Sequence, residues 1–495
     1  MLISKTMKFI TKVLPVLAFI FLALSYSSCE DFLDEQPFSQ IGDQQFWRTA
    51  GDAESGVAAI YDAMQDAYRT KHYLWGEFRS DNHIASDRVS GANSELVENV
   101  LTPGNTAALR WNDLYLMIAR ANLAIERLPT ITAVDANLLG ESHALRAYAY
   151  FDAVRVWGGA PLFTAPISGL DDELNRPMTP GETILNDVVI PDMLRAEELI
   201  TIPSREFRIS RASLFAFQAH VYMWIKDYEK ANEALQKLID LNEFQLVTSE
   251  QAWAELFLND INIGKFQTGP ELIFTIRYDL LEDGNAAAGN YGLFFAGIPS
   301  FFISPQAENK WINRFPVTEE SWTAMYPDFD PPSVIINNDT VIGDFRYYNT
   351  REDRPLGEAR VAKYAKGNFL SAEDDTNTPV YRYSGILLLK ALAENRLNNP
   401  EAAAELVTQV RDARALPPVS VEDMGDDMDS RENFILDERQ FELFAEGDRW
   451  WDLRMLDKVN VALDTIGQVE DDLLLFPIWE GHLIDNPNLV QNPGY

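Results

Sequence analysis

Apolar residues recur at spacings of three and four along most of this chain. From Trp111 to Leu128, the positions Leu114, Met117, Ile118, Ala121 and Ile125 fall on one side of a helix that Pro129 closes. From Glu141 to Trp157, Leu145, Tyr148, Phe151 and Val154 repeat the pattern until Gly158-Gly159 stops it. The two segments predict an antiparallel helix pair. One run departs from the helical period: Glu271-Leu272-Ile273-Phe274-Thr275-Ile276 reads as a strand. After it, from Asp283 to about Asp375, Gly, Asn, Pro and aromatic residues follow one another without a steady period. So long an irregular stretch within a compact protein is usually functional.

Two helical stretches share one plan. Ser210 to Asp240 predicts a helix, a break at Lys226-Asp227-Tyr228, and a second helix with Ala231, Ala234, Leu235 and Leu238 on one face. Tyr383 to Arg414 repeats it, with the break at Asn398-Asn399-Pro400 and Ala403, Leu406 and Val410 on the second helix. Small residues such as Ala231 and Ala403 let two helices approach closely. Paired helices of this length resemble tetratricopeptide repeats, which stack because neither helix can bury its apolar face alone. The repeats are few and far apart, which suits a scaffold inside a larger body; unrelated helical hairpins are the alternative. The fold class expected is mainly α, with a tetratricopeptide-like scaffold and an irregular, loop-rich part containing a few short strands.

The N-terminus changes the picture of where the chain works. Lys5, Lys8 and Lys12 lead into an apolar run from Val13 to Leu24, and Tyr26-Ser27-Ser28 precede Cys29. This is the layout of an export signal over residues 1–28, too short for a spanning helix. A thiol directly after small residues at the cleavage point predicts lipidation of Cys29, which turns a soluble chain into an anchored one. Ordinary secretion with a spare thiol is the alternative reading. Cys29 is the single cysteine, so stability must come from a buried core rather than disulfides. Residues 29–495 carry no Ser/Gly-rich or Pro-rich linker and predict one body: a helical part over about 40–240, a loop-rich part over about 270–380 and a second helical part over about 381–460. The formal net charge is −35, and −38 once the three signal lysines are removed. Such a surface repels phosphate backbones, which argues against nucleic acid as a partner.

Ordered motifs then resemble one family over nearly the whole length. Glu30-Asp31-Phe32-Leu33-Asp34 follows the cysteine; Arg146-Ala147-Tyr148-Ala149-Tyr150-Phe151 is followed by Trp157-Gly158-Gly159-Ala160-Pro161-Leu162; Ile435-Leu436-Asp437-Glu438-Arg439 leads to Glu446-Gly447 and Arg449-Trp450-Trp451-Asp452-Leu453-Arg454; and the chain ends Gln491-Asn492-Pro493-Gly494-Tyr495. Together these resemble the SusD/RagB family of surface lipoproteins, which capture nutrients for TonB-dependent outer-membrane transporters. The resemblance implies a helical scaffold on one side and a ligand-binding part on the other. It also implies an outer-membrane location through the lipid on Cys29, a SusC-like TonB-dependent transporter as partner, and an oligosaccharide bound without cleavage. A peptide or other nutrient is the alternative ligand.

Sugar recognition needs flat apolar faces against pyranose C–H surfaces, with planar polar groups for paired hydroxyls. From Tyr291 to Tyr326, nine of thirty-six residues are aromatic, about twice the chain's 12%. Trp322 and Tyr326 fit an inward helix face, whereas Tyr291 and Trp311, flanked by Asn290, Asn309 and Asn313, are the candidate platforms. The family's binding loop falls on the strip from Tyr73 to His83 and makes Trp75, Arg79, Asp81 and Asn82 candidates by position. An Arg79–Asp81 pair bracing the loop is the structural alternative.

Glu438, Glu442 and Glu446, spaced along one helix with Arg439, Arg449 and Arg454 to neutralise them, read as a brace rather than a catalytic set. His72, His83, His143, His220 and His482 form no close metal-ligand pair, and no nucleophile-elbow, phosphate-loop or dinucleotide motif is present. A non-catalytic binding protein without cofactor or metal is therefore expected, with a surface glycosidase as the other class.

Overall fold

The computed structural model describes residues 46–495 apart from 168, 170–171, 260–265, 284–287, 319, 321–339, 353, 366–373 and 464–468. Cys29, the segment 30–34, Trp322 and Tyr326 lie outside the described residues.

The first described helix, Ala50–Tyr68, begins in a reciprocal cap: the Thr49 hydroxyl accepts from the Asp52 N–H, and the Asp52 carboxylate accepts from the Thr49 N–H. It buries Ala53, Val57, Ile60, Met64 and Ala67, one stripe at spacings of three and four. That stripe packs on Asn112–Arg127, which packs in turn on Ala136–Trp157, so the expected antiparallel pair is present. Ala136–Trp157 is buried nearly all round and ends at Gly158, whose φ of 76° suits a residue without a Cβ. Arg146 donates to both Asp192 oxygens at 2.7 and 2.9 Å, and so fastens this helix to Ile190–Leu199.

Both expected hairpins form. Arg211–Trp224 pairs with Tyr228–Asp240, and Tyr383–Arg396 pairs with Pro400–Ala413. The two breaks are built alike, with Lys226 at φ 62° and Asn398 at φ 63°, each turning the chain back through a left-handed residue. Although remote in sequence, the hairpins touch: Tyr228–Asp240 packs against Tyr383–Arg396, which also contacts Met428–Glu442. Each hairpin thereby covers the apolar face its neighbour cannot bury alone.

Leu272–Ile276 is the expected strand, and its partner is Thr378–Arg382, antiparallel with two register irregularities. Residues 277–377 thus leave the scaffold from one strand and return on its neighbour, so the irregular stretch is an excursion from a fixed base. Within it, Phe301–Ile303 pairs with His83–Ala85 and leads into the helix Pro305–Arg314. One hydrophobic cluster runs from Trp47 to Leu489 through all these parts. Among the described residues, no helix is long and apolar enough to cross a membrane.

Candidate functional site

Five of the expected ligand contacts lie in the interior. Trp75 is 2% exposed; its indole N–H donates to the Ala108 carbonyl at 2.7 Å and its ring meets Tyr68 and Trp157 edge-on. Trp311 is 1% exposed, donates to Asp344 at 3.0 Å and packs against Tyr347, Phe441 and Phe444. With the polar handle satisfied and the ring faces covered, neither offers a platform to a sugar.

Arg79 lies between the rings of Trp450 and Phe476 and donates to the Asn99 side chain and the carbonyls of Leu473 and Leu474. Burial without a carboxylate partner lowers its guanidinium to about 10. Asp81 pairs with Arg449 and Lys310, both at 2.8 Å. Burial would push its carboxyl up, but these two cations hold it well below the usual carboxylate range. Asn82 donates to Glu77 at 2.6 Å and accepts from Gln440 at 2.7 Å. The strip does brace its loop, with near partners in Glu77 and Asn99 and remote ones in Gln440, Arg449 and Leu473; Arg79 and Asp81 bind these and not each other.

The block from Glu438 to Arg454 is a brace as well, with different partners from those expected. Glu442 binds Arg346, Arg382 and Arg414 at 2.8–3.0 Å; Glu438 binds Arg346 and Arg411; Glu446 binds Lys363 and Arg382. Burial acts to raise the Glu442 carboxyl, yet Arg414, Arg382 and Arg346 outweigh it and hold it well below its ordinary value. Arg439 instead pairs with Asp452, and Arg454 donates to the Arg155 carbonyl. Trp450 is fully buried beside Arg79. Each of these three glutamates is inside and neutralised, so none is placed to act on a substrate arriving from solvent.

What faces outward is a different group on the 277–377 excursion. Tyr291, half-buried, opens the single turn Tyr291–Phe295 and is fixed by its N–H on Asp374 at 2.7 Å. In Phe301–Ile303 the alternation of a strand buries Phe301 and Ile303 and leaves Phe302 half-exposed, opposite Ile84. Phe295, also half-exposed, carries the Arg360 guanidinium 4.2 Å above its ring. Arg360 donates to the Phe295 carbonyl at 3.0 Å and pairs with Glu352, which holds its pKa above the usual value, with a smaller contribution from Tyr291. Ile298 and Leu356 are exposed, and the Asn93 amide reaches Ser300 at 3.5 Å.

Tyr291 therefore lies near Phe295 and Arg360, and half-exposed Phe302 follows on the adjoining strand, where the Ser300 N–H donates to the Gly292 carbonyl. Asn313 is exposed in the last turn of Pro305–Arg314, and no described contact ties it to that group. Phe295 and Phe302 are unmarked members of the aromatic run, and nothing in the sequence singles out Arg360 or Asn93 as candidates. The run Phe301-Phe302-Ile303 signals that one ring faces out, but which one depends on the register against His83–Ala85. A planar cation and an amide beside half-exposed rings can accept flat apolar surfaces together with hydroxyl pairs.

The architecture is that of a stacked-helix scaffold carrying a loop-built face on one long excursion. Two family models match, one described as the SusD family over residues 307–459 and one described as starch-binding associating with outer membrane over residues 31–223. SusD-like protein P38 of Formosa agariphila is 45% identical, over 95% of this chain and 96% of its own. The chain belongs to the SusD/RagB family. Its fold matches Bacteroides fragilis NanU, with a TM-score of 0.71 at 22% identity over 93% of this chain and 99% of that one. It also matches a laminarin-binding SusD-like protein, with a TM-score of 0.69 at 19% identity over 90% of this chain and 100% of that one.

Proposed function

We propose that the protein captures oligosaccharides on the looped face around Tyr291, without cleaving them, and passes them to a SusC-like TonB-dependent transporter in the outer membrane. The observation that carries this reading is the placing of half-exposed Tyr291 and Phe295 by the braced Arg360, with half-exposed Phe302 on the adjoining strand. A matching family description of starch binding at the outer membrane supports it, as does the fold shared with a laminarin-binding protein. Asn313 stands as a peripheral contact for a longer chain. The lipid on Cys29 would hold the protein at the membrane, facing the cell exterior.

A glycan array followed by calorimetry tests the reading. Tyr291→Ala combined with Phe302→Ala is expected to weaken binding of an array-selected oligosaccharide by about 1–2 kcal/mol, as loss of aromatic contact does elsewhere. Circular dichroism is expected to be unchanged, because both rings are only half-buried, and no new reducing ends are expected on prolonged incubation. Full affinity in the double variant would remove this face from the site, and release of reducing ends would replace binding with hydrolysis.

A further inference from the structure

Two adjoining hollows of about 330 and about 530 Å³ share Phe207 and Arg277 and run as one groove beside the Ala50–Tyr68 helix. Their sizes lie in the range of small-molecule sites, roughly 300–1,000 Å³. Three apolar side chains stand out from the walls: Phe207 at 39%, Phe266 at 60% and Leu281 at 94% exposure. Exposed rings that no partner covers are costly in water unless something docks on them.

The polar groups between them are held in fixed positions. Gln267 donates to the Asn377 carbonyl at 3.0 Å and accepts from the Asn377 N–H at 2.9 Å, while Asn259 donates to the Asp375 carbonyl. Glu206 is locked at its backbone, where its carbonyl accepts from the Thr275 N–H at 2.8 Å, yet its buried Oε1 has no hydrogen-bond partner. Burial, with no cation beside it, pushes that carboxyl up to about 7. The groove shares no lining residue with the looped face.

We infer that this groove is a second oligosaccharide subsite, taking a neutral sugar chain whose rings lie on Phe207 and Phe266 and whose hydroxyls donate to Glu206. The inference rests on the glycan-binding reading above and adds a site and a specificity to it. Neutrality follows from charge. Asp62, Asp279, Glu282 and Asp375 line the groove, and its two cations are already engaged, Arg277 by Asp279 and Arg208 by Glu141, both at 2.8 Å. A uronic or sulfated sugar would meet repulsion there.

The test uses maltohexaose, laminarihexaose, cellohexaose and hexagalacturonate as probes, read by calorimetry and by mass-spectrometric footprinting of the whole protein. A neutral hexaose that binds is expected to protect peptides spanning 204–208 and 266–281 as well as those spanning 291–302. Phe207→Ala with Phe266→Ala is expected to abolish the first protection and weaken binding about tenfold, with the fold intact because both rings are largely exposed. Tyr291→Ala with Phe302→Ala is expected to abolish only the second. Protection confined to 291–302, with the groove variant binding like the parent, would overturn the groove while leaving the glycan reading standing. Preferred binding of hexagalacturonate would overturn the assigned neutrality. Failure of every neutral hexaose to bind anywhere would sink both readings. Groove protection seen only in a complex with the transporter would give the groove to that protein instead.

Discussion

Arg79 is fully buried, and its guanidinium reaches carbonyls 394 and 395 positions further along the chain. Trp75, Arg79, Asp81 and Asn82 together have the composition of a binding strip, because an exposed polar strip and a buried, satisfied one use the same residues. What separates them is the arrival of Arg449, Gln440 and Leu473, which local sequence does not announce. Asp448 lies at the other extreme. It borders a cavity of about 20 Å³, room for about one water, with His72, His220, Arg155 and Tyr381 also on the wall. Burial, then the nearby Asp452 carboxylate, with Glu446 and Glu77, pushes its carboxyl up to about 8 against the relief from Arg439. His220 is held neutral, burial lowering it to about 3. A carboxyl raised in the folded state gives stability that is complete below its ordinary value of 3.8 and is lost as pH rises to about 8. Asp448→Asn is therefore expected to flatten the fall in melting temperature across that window and to melt higher than the parent at its alkaline end. Parallel melting curves for the two proteins would show that Asp448 ionises freely.

At the scale of elements, the helices were the legible part because their signals are local. The hairpins at 210–240 and 383–414 were readable from apolar period and break residues alone, and Lys226 and Asn398 sit where the turns fall. Three-residue strands carry no such signal: His83–Ala85 and Phe301–Ile303 exist only because they meet. The candidate looped face depends on that meeting, which is why the exposure of Phe302 cannot be read from the sequence. Gly158 shows an element boundary that the sequence does mark. At φ 76°, any Cβ there would be strained and would lie 2.7 Å from Leu475, a residue of the C-terminal segment. Gly158→Ala is expected to cost about 1–2 kcal/mol for the left-handed conformation and to loosen that segment as well. Equilibrium denaturation would measure the loss, and faster amide exchange over 473–478 would reveal the second effect. An unchanged midpoint would mean that the helix ends without help from the glycine.

At the scale of the molecule, the two ends of the chain do different work. The C-terminal segment acts as a strap: Asn492 donates to the carbonyls of Trp157 and Phe476, and the Tyr495 hydroxyl donates to the Leu475 carbonyl at 2.9 Å. The N-terminal segment holds Cys29. With a formal net charge of −35, the chain has no electrostatic attraction to anionic lipid. Two or three acyl chains, at roughly 0.8 kcal/mol per buried CH₂, would supply the affinity instead. Cys29→Ala is accordingly expected to shift the protein from the membrane fraction to the soluble fraction of lysed cells. Retention of the variant at the membrane would remove the lipid anchor from the proposed function.

The helical class, the paired-helix units, the family and the structural nature of the Glu438–Arg454 block were determined by the sequence itself, since each rests on local period or contiguous motif. Only the tertiary structure decided which aromatic rings face water, which cations neutralise Glu442, and that residues 206–208 and 266–281 enclose a groove. Those outcomes are set by contacts between segments remote in sequence, from 28 residues for Arg414 and Glu442 to 394 for Arg79 and Leu473. A ring's composition and neighbours in sequence are the same whether its face ends in the core or in solvent, so burial becomes known only when the distant partner is in place.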